Sequence, residues 1–349
     1  MDDICFADLP GREGNLGVIT LNRPKALNAL NHNMLLAMHE ALQRWADDRE
    51  IKAVVVRAAP GRAFCAGGDL RWVYERHLAN ESYLQFFKDE YQLNSAIYHY
   101  PKPYIAFLDG ITMGGGAGIS INGSHCVATE QLLFAMPETG IGFFPDVGGT
   151  YFLSHLPGKL GWYLGLTGAR IGCDDCVSAG LVQHKVQEAA WPAVVDQLLI
   201  QPFGLDPDEA VTKILTQFTI PVLQSPLILH QAAIEHCFSC HTVEDVIRAL
   251  EQSPHIFCRQ AAVAMLQKSP TSLKVTHIVL QRSSQLDFDA CMQQEYRLTT
   301  YFSKQADFME GIRATIIEKD NTPHWRPDTL SAVNEREIKA DFERVNFNE

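Results

Sequence analysis

The stretch Met136-Pro137-Glu138-Thr139-Gly140-Ile141-Gly142-Phe143-Phe144-Pro145-Asp146-Val147-Gly148-Gly149 sets two carboxylates among apolar residues and glycines. Burial in such surroundings raises a carboxyl pKa, and a second carboxylate nearby raises one of the pair further. Acids so placed can divide general-base and general-acid work near neutral pH. A structural role competes with this. Asp146 precedes a plausible helix at 148–153 and would suit its N-cap. Spacing alone leaves both open.

Upstream lie two glycine segments. Ala63-Phe64-Cys65-Ala66-Gly67-Gly68-Asp69-Leu70 follows the short β-branched run Ala53-Val54-Val55-Val56, and Gly110-Ile111-Thr112-Met113-Gly114-Gly115-Gly116-Ala117-Gly118 follows Tyr104-Ile105-Ala106-Phe107-Leu108. Glycines at strand ends let the backbone approach a ligand and aim bare N–H groups at it. Two such loops can present two donors to one oxygen, which an acyl-transfer intermediate requires. Tight turns without a ligand are the plainer alternative. Neither segment fits a dinucleotide or Walker phosphate pattern.

Outward from these loops the first 190 residues alternate strand and helix. Gly17-Val18-Ile19-Thr20-Leu21 reads as a strand stopped by Asn22-Arg23-Pro24, and Met34, Leu35, Met38, Leu42 and Trp45 share one helical face. A further helix is expected at 83–98, before Pro101 and Pro103. Such alternation implies crossover units and an α/β architecture. From about residue 205 the texture turns helical, at 209–218, 243–252, 256–268 and 272–282, with Ser269-Pro270-Thr271-Ser272 supplying capping chemistry before the last. A soft boundary falls near residue 210, and the charged tail 331–349 is expected to fold over the main body.

Composition excludes several classes of function. A formal charge of −12 opposes a nucleic-acid partner and confines any phosphate site to a local patch. No run approaches the roughly 20 apolar residues a membrane helix needs. The acidic start Met1-Asp2-Asp3-Ile4-Cys5 does not read as a signal peptide. Nine cysteines, an odd number without an export signal, point to reduced thiols in the cytoplasm. Cys237-Phe238-Ser239-Cys240-His241 matches a haem-attachment pattern and Cys173-Asp174-Asp175-Cys176 a second thiol spacing, yet no haem and no metal is expected. The thirteen histidines form no Ser-His-Asp pattern.

Together the three segments resemble the crotonase (enoyl-coenzyme A hydratase/isomerase) superfamily. Ala66-Gly67-Gly68-Asp69, Gly114-Gly115-Gly116, Pro137-Glu138 and Ala179-Gly180-Leu181-Val182 follow in that family's order and approximate spacing. Within it, 136–149, 269–274, Glu295-Tyr296-Arg297-Leu298 and Glu310-Gly311-Ile312-Arg313-Ala314 look like the 3-hydroxyisobutyryl-coenzyme A hydrolases. The likeness covers roughly residues 15–330. It implies an α/β fold: a crotonase-like ββα spiral core over 1–210, with a C-terminal helical region over 211–349 packing on it. It also implies hydrolysis of a short β-hydroxyacyl-coenzyme A thioester. Gly68 and Gly115 match the oxyanion-hole glycines, Glu138 and Asp146 the acid pair, and Glu90 a substrate-contacting glutamate. Ala66 and Asp69 would lie beside the adenine through their backbone. Arg23 and Lys25 are candidates for the phosphates, with a solvated turn as the competing explanation. Coenzyme A would arrive as part of the substrate, with no separate cofactor, on a monomer or a trimer.

One departure narrows the chemistry. The family's hydratases carry a second glutamate just after the triple glycine, where this chain has Gly118. Adding water across a double bond uses one acid to activate water and another to deliver the proton. Hydrolysis therefore fits better than the alternative of a hydratase or isomerase of the same fold. A non-catalytic coenzyme A-binding protein is a further alternative, which retention of both acids and both glycines disfavours.

Overall fold

The computed structural model describes residues 2–344. The chain forms two compact units that interleave in sequence. The first comprises Met1–Gly68, Gln92–Phe134 and Arg170–Ile228; the second comprises Asp69–Tyr91, Ala135–Ala169 and Leu229–Glu349.

In the first unit the strands are β1 (Ile4–Leu9), β2 (Asn15–Leu21), β3 (Ile51–Ala58), β4 (Ala63–Cys65), β5 (Tyr104–Leu108), β6 (Ile111–Met113), β7 (His125–Ala128), β8 (Leu133–Ala135), β9 (Ile171–Gly172) and β10 (His184–Lys185). They build a six-stranded sheet in the order β1-β2-β3-β5-β7-β10 and a four-stranded sheet in the order β4-β6-β8-β9. In the larger sheet β1 runs antiparallel to β2, and every other pairing is parallel. The parallel order follows from the expected crossovers, and the β-branched run in β3 sits in the middle, as buried parallel strands require. Register places Val18 beside Val55 and Val54 beside Tyr104. One face carries Leu16, Val18, Ala53, Val55, Ile105, Phe107 and Val127 onto Trp191, Val194, Leu198, Val211 and Leu215. Trp191 stacks on Phe107 with ring centroids 3.8 Å apart.

The second unit is mostly helical. A largely buried helix, Pro270–Ser283, is capped by Ser269, whose Oγ accepts from the Ser272 N–H at 3.1 Å and donates to Asp307 at 2.6 Å. The capping expected from Ser269-Pro270-Thr271-Ser272 is thus present. Around Phe143 gather Phe308 at 4.5 Å, Phe302 at 5.3 Å and Phe87 at 5.6 Å between ring centroids. This aromatic packing fixes the 136–149 segment, because Phe143 and Phe144 point into it between the two acids.

The structure refines several expectations. The strand at 17–21 extends over Asn15–Leu21, the helix at 83–98 spans Leu84–Tyr98, and the block at 256–268 is helical over Ile256–Leu266. A single division near residue 210 differs from the interleaved units: the helix Pro207–Phe218 buries Val211, Ile214 and Leu215 in the first unit's core, while 69–91 and 135–169 cluster with the C-terminal helices. The change in sequence texture marks where strands cease, which is not where contacts divide. Within the charged tail, Glu335–Arg344 is helical, and 345–349 fall outside the described residues.

Candidate active site

The first unit holds both glycine loops. Leu30 bridges Gly68 in parallel, with the Leu30 N–H donating to the Gly67 carbonyl at 2.8 Å. The Ala66 N–H donates to the Leu27 carbonyl at 3.0 Å, so that donor is already committed. In the other loop Gly114 turns the chain at φ 50°, ψ −122°, from β6 into the four-residue helix Gly115–Gly118. That conformation strains any residue with a Cβ. The loops touch: a Cβ on Gly116 would stand 2.2 Å from the Cys65 carbonyl oxygen, and one on Gly67 would stand 3.7 Å from the Gly115 nitrogen. First-turn N–H groups have no intrahelical partner. Among the described residues, no turn or strand bond uses the N–H of Gly68 or Gly115. Two adjacent loops with uncommitted donors suit an oxyanion. Gly118 is buried and its carbonyl accepts from Asn122 Nδ2 at 2.9 Å; no carboxylate is present at this position.

The second unit holds the acids. Glu90, Glu138 and Asp146 are 2%, 5% and 5% exposed, and Glu295, at 0%, joins them. Burial, then the Asp146 charge, pushes both Glu90 and Glu138 well above the usual carboxylate range. Burial raises Asp146 to about 7 against the pull of its bond to Tyr91. Tyr91 Oη lies 2.6 Å from Asp146 Oδ2 and 2.7 Å from Thr299 Oγ1. Oε2 of Glu138 and Oε1 of Glu90 have no hydrogen-bond partner among the described residues. Leaving buried carboxylate oxygens unpaired costs about 1–3 kcal/mol each, and folds carry that cost where a ligand or a reaction uses the group.

The competing role for Asp146 falls away. The helix Gly149–Ser154 has Gly148 as its N-cap and no side-chain cap bond. What holds Asp146 is instead the loop after it. Val147 is buried at φ 56°, a conformation that a β-branched residue adopts only under constraint. Glu295 supplies the constraint, accepting from the Gly148 N–H at 2.8 Å, the Thr150 N–H at 3.0 Å and the Thr150 hydroxyl at 2.6 Å. Burial lifts Glu295 to about 8 while these donors pull it down.

The remaining candidates divide. Asp69 begins the second unit as the N-cap of the helix Leu70–Leu78, accepting from the Trp72 N–H at 3.4 Å. Arg23 is engaged locally, 3.3 Å from Asp3 Oδ2 and donating to the Ala29 carbonyl at 2.6 Å. Lys25 sits exposed on the turn Pro24–Ala26. Both cations thus occupy the turn that competed with phosphate binding. Tyr91, Thr299 and Glu295 are absent from the sequence-derived set. Tyr91 borders Glu90, which is a hint, but Thr299 and Glu295 reach the acids from some 150 residues away.

Known proteins resemble the chain throughout. The enoyl-CoA hydratase/isomerase family model matches residues 16–342. The mitochondrial 3-hydroxyisobutyryl-CoA hydrolase of Danio rerio is 41% identical over 94% of this chain and 87% of its own length. That of Homo sapiens is 40% identical over 96% of this chain and 88% of its own length. Among solved structures, a carnitinyl-CoA dehydratase from Mycobacterium thermoresistibile superposes with a TM-score of 0.90 at 37% identity, covering 99% of this chain and 98% of that one. An enoyl-CoA hydratase from Rhodobacter sphaeroides 2.4.1 gives 0.86 at 35%, covering 98% and 97%. With glycine loops on a parallel-sheet core in one unit, buried acids in the other, and likeness over residues 16–342, this chain belongs to the enoyl-CoA hydratase/isomerase family, the crotonase superfamily.

Proposed function

We propose that the chain hydrolyses a short β-hydroxyacyl-coenzyme A thioester, 3-hydroxyisobutyryl-coenzyme A being the leading substrate. The observation that carries this is the placement of acids: Glu138 and Asp146 are buried together, while Gly118 leaves no acid after the triple glycine. The relatives named as 3-hydroxyisobutyryl-CoA hydrolases favour the same activity. Two solved relatives carry hydratase or dehydratase names at similar identity, which is why the missing second acid matters.

In this mechanism the thioester carbonyl accepts from the Gly68 and Gly115 N–H groups, each such donor contributing about 3–4 kcal/mol to the transition state. Glu138 either attacks the carbonyl, giving a mixed anhydride, or activates a water. Asp146 orients the substrate hydroxyl or the water, or returns a proton to the leaving sulfur. Glu90 contacts the acyl portion, while Ala66 and Asp69 flank the adenine. Coenzyme A enters with the substrate, and the chemistry needs no further cofactor. Nine free cysteines suit a reducing compartment, and we place the chain in the cytoplasm, whereas the matched vertebrate hydrolases are named as mitochondrial.

Incubation with a β-hydroxyacyl thioester and, separately, a trans-2-enoyl thioester tests the assignment. Free thiol from the first, with the enoyl absorbance of the second unchanged, is expected. Loss of enoyl absorbance without thiol release would overturn it in favour of hydration.

A further inference from the structure

The hydroxyl chain behind Asp146 has too few hydrogens to satisfy both of its protonation states. Tyr91 Oη lies 2.6 Å from Asp146 Oδ2 and 2.7 Å from Thr299 Oγ1, and Thr299 Oγ1 lies 3.0 Å from the Glu295 main-chain carbonyl. Each hydroxyl owns one hydrogen, and the carbonyl can only accept. If Thr299 donates to that carbonyl, it offers Tyr91 only lone pairs, so the Tyr91 hydrogen turns to Thr299. Asp146 then keeps its bond to Tyr91 only by carrying a proton and donating it. All three bonds coexist when Asp146 is protonated. Once Asp146 ionises, Tyr91 must donate to it, and Thr299 must choose between Tyr91 and the carbonyl. One bond is lost.

We infer that Tyr91 and Thr299 are positioning residues that govern whether Asp146 holds a proton, by rotating two hydroxyl hydrogens with no heavy-atom movement, and that Asp146 so held is the proton donor to the departing sulfur. The second half rests on the thioesterase assignment. In that step the C–S bond breaks with its electron pair on sulfur, and the sulfur takes the Asp146 proton. Water adds its oxygen to the acyl carbon, and the proton it releases returns to Asp146, directly or through Glu138. Nothing is oxidised or reduced. The carboxyls of Glu90, Glu138 and Glu295 also act electrostatically within this cluster. Glu295 has its own donors, Gly148 and Thr150, so its carboxyl makes no claim on the Tyr91 hydrogen. With Asp146 raised to about 7, both states are reachable near neutral pH.

Thr299 acts on Asp146 only through Tyr91, a dependence that a merely structural role would not produce. Thr299→Val removes the acceptor that favours the protonated form and should move the Asp146 titration down. Tyr91→Phe cuts the link, so adding Thr299→Val in that background should leave the titration where Tyr91→Phe alone puts it. The Thr299→Val shift should be about 0.5–1 pH unit, the worth of one hydrogen bond, and Thr299→Ser should restore the wild-type value. Asp146 is read directly as the infrared carboxyl band that Asp146→Asn abolishes, and through the pH profile of kcat for thiol release. A downward infrared shift with Thr299→Val, followed by the kcat limb and absent in the Tyr91→Phe background, supports the inference. No shift, or the same shift in both backgrounds, overturns it. If the wild type releases no thiol, the thioesterase assignment and the donor role fail, while the infrared titration still decides the hydroxyl switch.

Discussion

Replacing Gly116 with alanine tests the glycine pair without touching either proposed donor. The new Cβ would stand 2.2 Å from the Cys65 carbonyl oxygen and 2.9 Å from that residue's carbonyl carbon and Cβ, where 3.4 Å is ordinary contact. The loops must therefore part by about 1.2 Å at the carbonyl oxygen. The obstacle is backbone at the end of buried β4, so no flexible side chain can swing aside. Overpacking of this kind costs about 1–3 kcal/mol, a fall in Tm of about 2–4 °C in a chain of this size. The parting moves the Gly115 N–H relative to Gly68, and a misplacement near 1 Å typically costs on the order of 100-fold in rate. Thiol release from the β-hydroxyacyl thioester should show kcat lowered about 100-fold, with KM changed by less than about threefold, since the donors act mainly on the developing oxyanion. A variant with lowered Tm but kcat within threefold of wild type would refute the assignment of these N–H groups to the reacting oxygen.

Further outcomes follow from the acids. Under single-turnover conditions in oxygen-18 water, label entering the Glu138 carboxylate requires a mixed anhydride that water opens at the glutamyl carbon, and mass spectrometry of the recovered protein reads it; label found only in the released acid means that the water oxygen reaches the acyl carbon. Asp146 is raised from 3.8 to about 7, so it contributes stability that is fully present below about pH 4 and lost as pH rises through 7. Asp146→Asn removes that titration, and its Tm should fall less between pH 4 and 7 than wild type does; parallel Tm curves would contradict the raised value.

Much of the scaffold was legible because its signals are local. The β-branched run of β3, the apolar stripe 34–45 and the Ser269 cap each report on a few consecutive residues, and each appears where expected. The glycine loops were visible, but only the structure shows that Gly116 presses on Cys65 and so joins them. Asp146 was ambiguous because a cap and a catalytic acid both favour a carboxylate before a helix. Its 2.6 Å contact to Tyr91 and the absence of a side-chain cap bond separate the two. Glu295 stood in a family-like stretch, but its role was hidden for a different reason. It is needed because Val147 is held at positive φ, and neither that strain nor the donors at Gly148 and Thr150 has a local sequence signature. Arg23 and Lys25 show the converse: a basic pair near a glycine loop suggests phosphate, while Asp3 and the Ala29 carbonyl already occupy Arg23.

The most direct measurement is thioester hydrolysis by Glu138→Gln, an exchange of nearly equal volume at a 5% exposed position. The wild type should release thiol from 3-hydroxyisobutyryl-coenzyme A, and the variant should lose at least about 1,000-fold in kcat, on the scale of removing a nucleophile or its base, with an unchanged far-ultraviolet spectrum. A folded variant that kept near-wild-type thioesterase activity would contradict any role for Glu138 in cleaving the thioester.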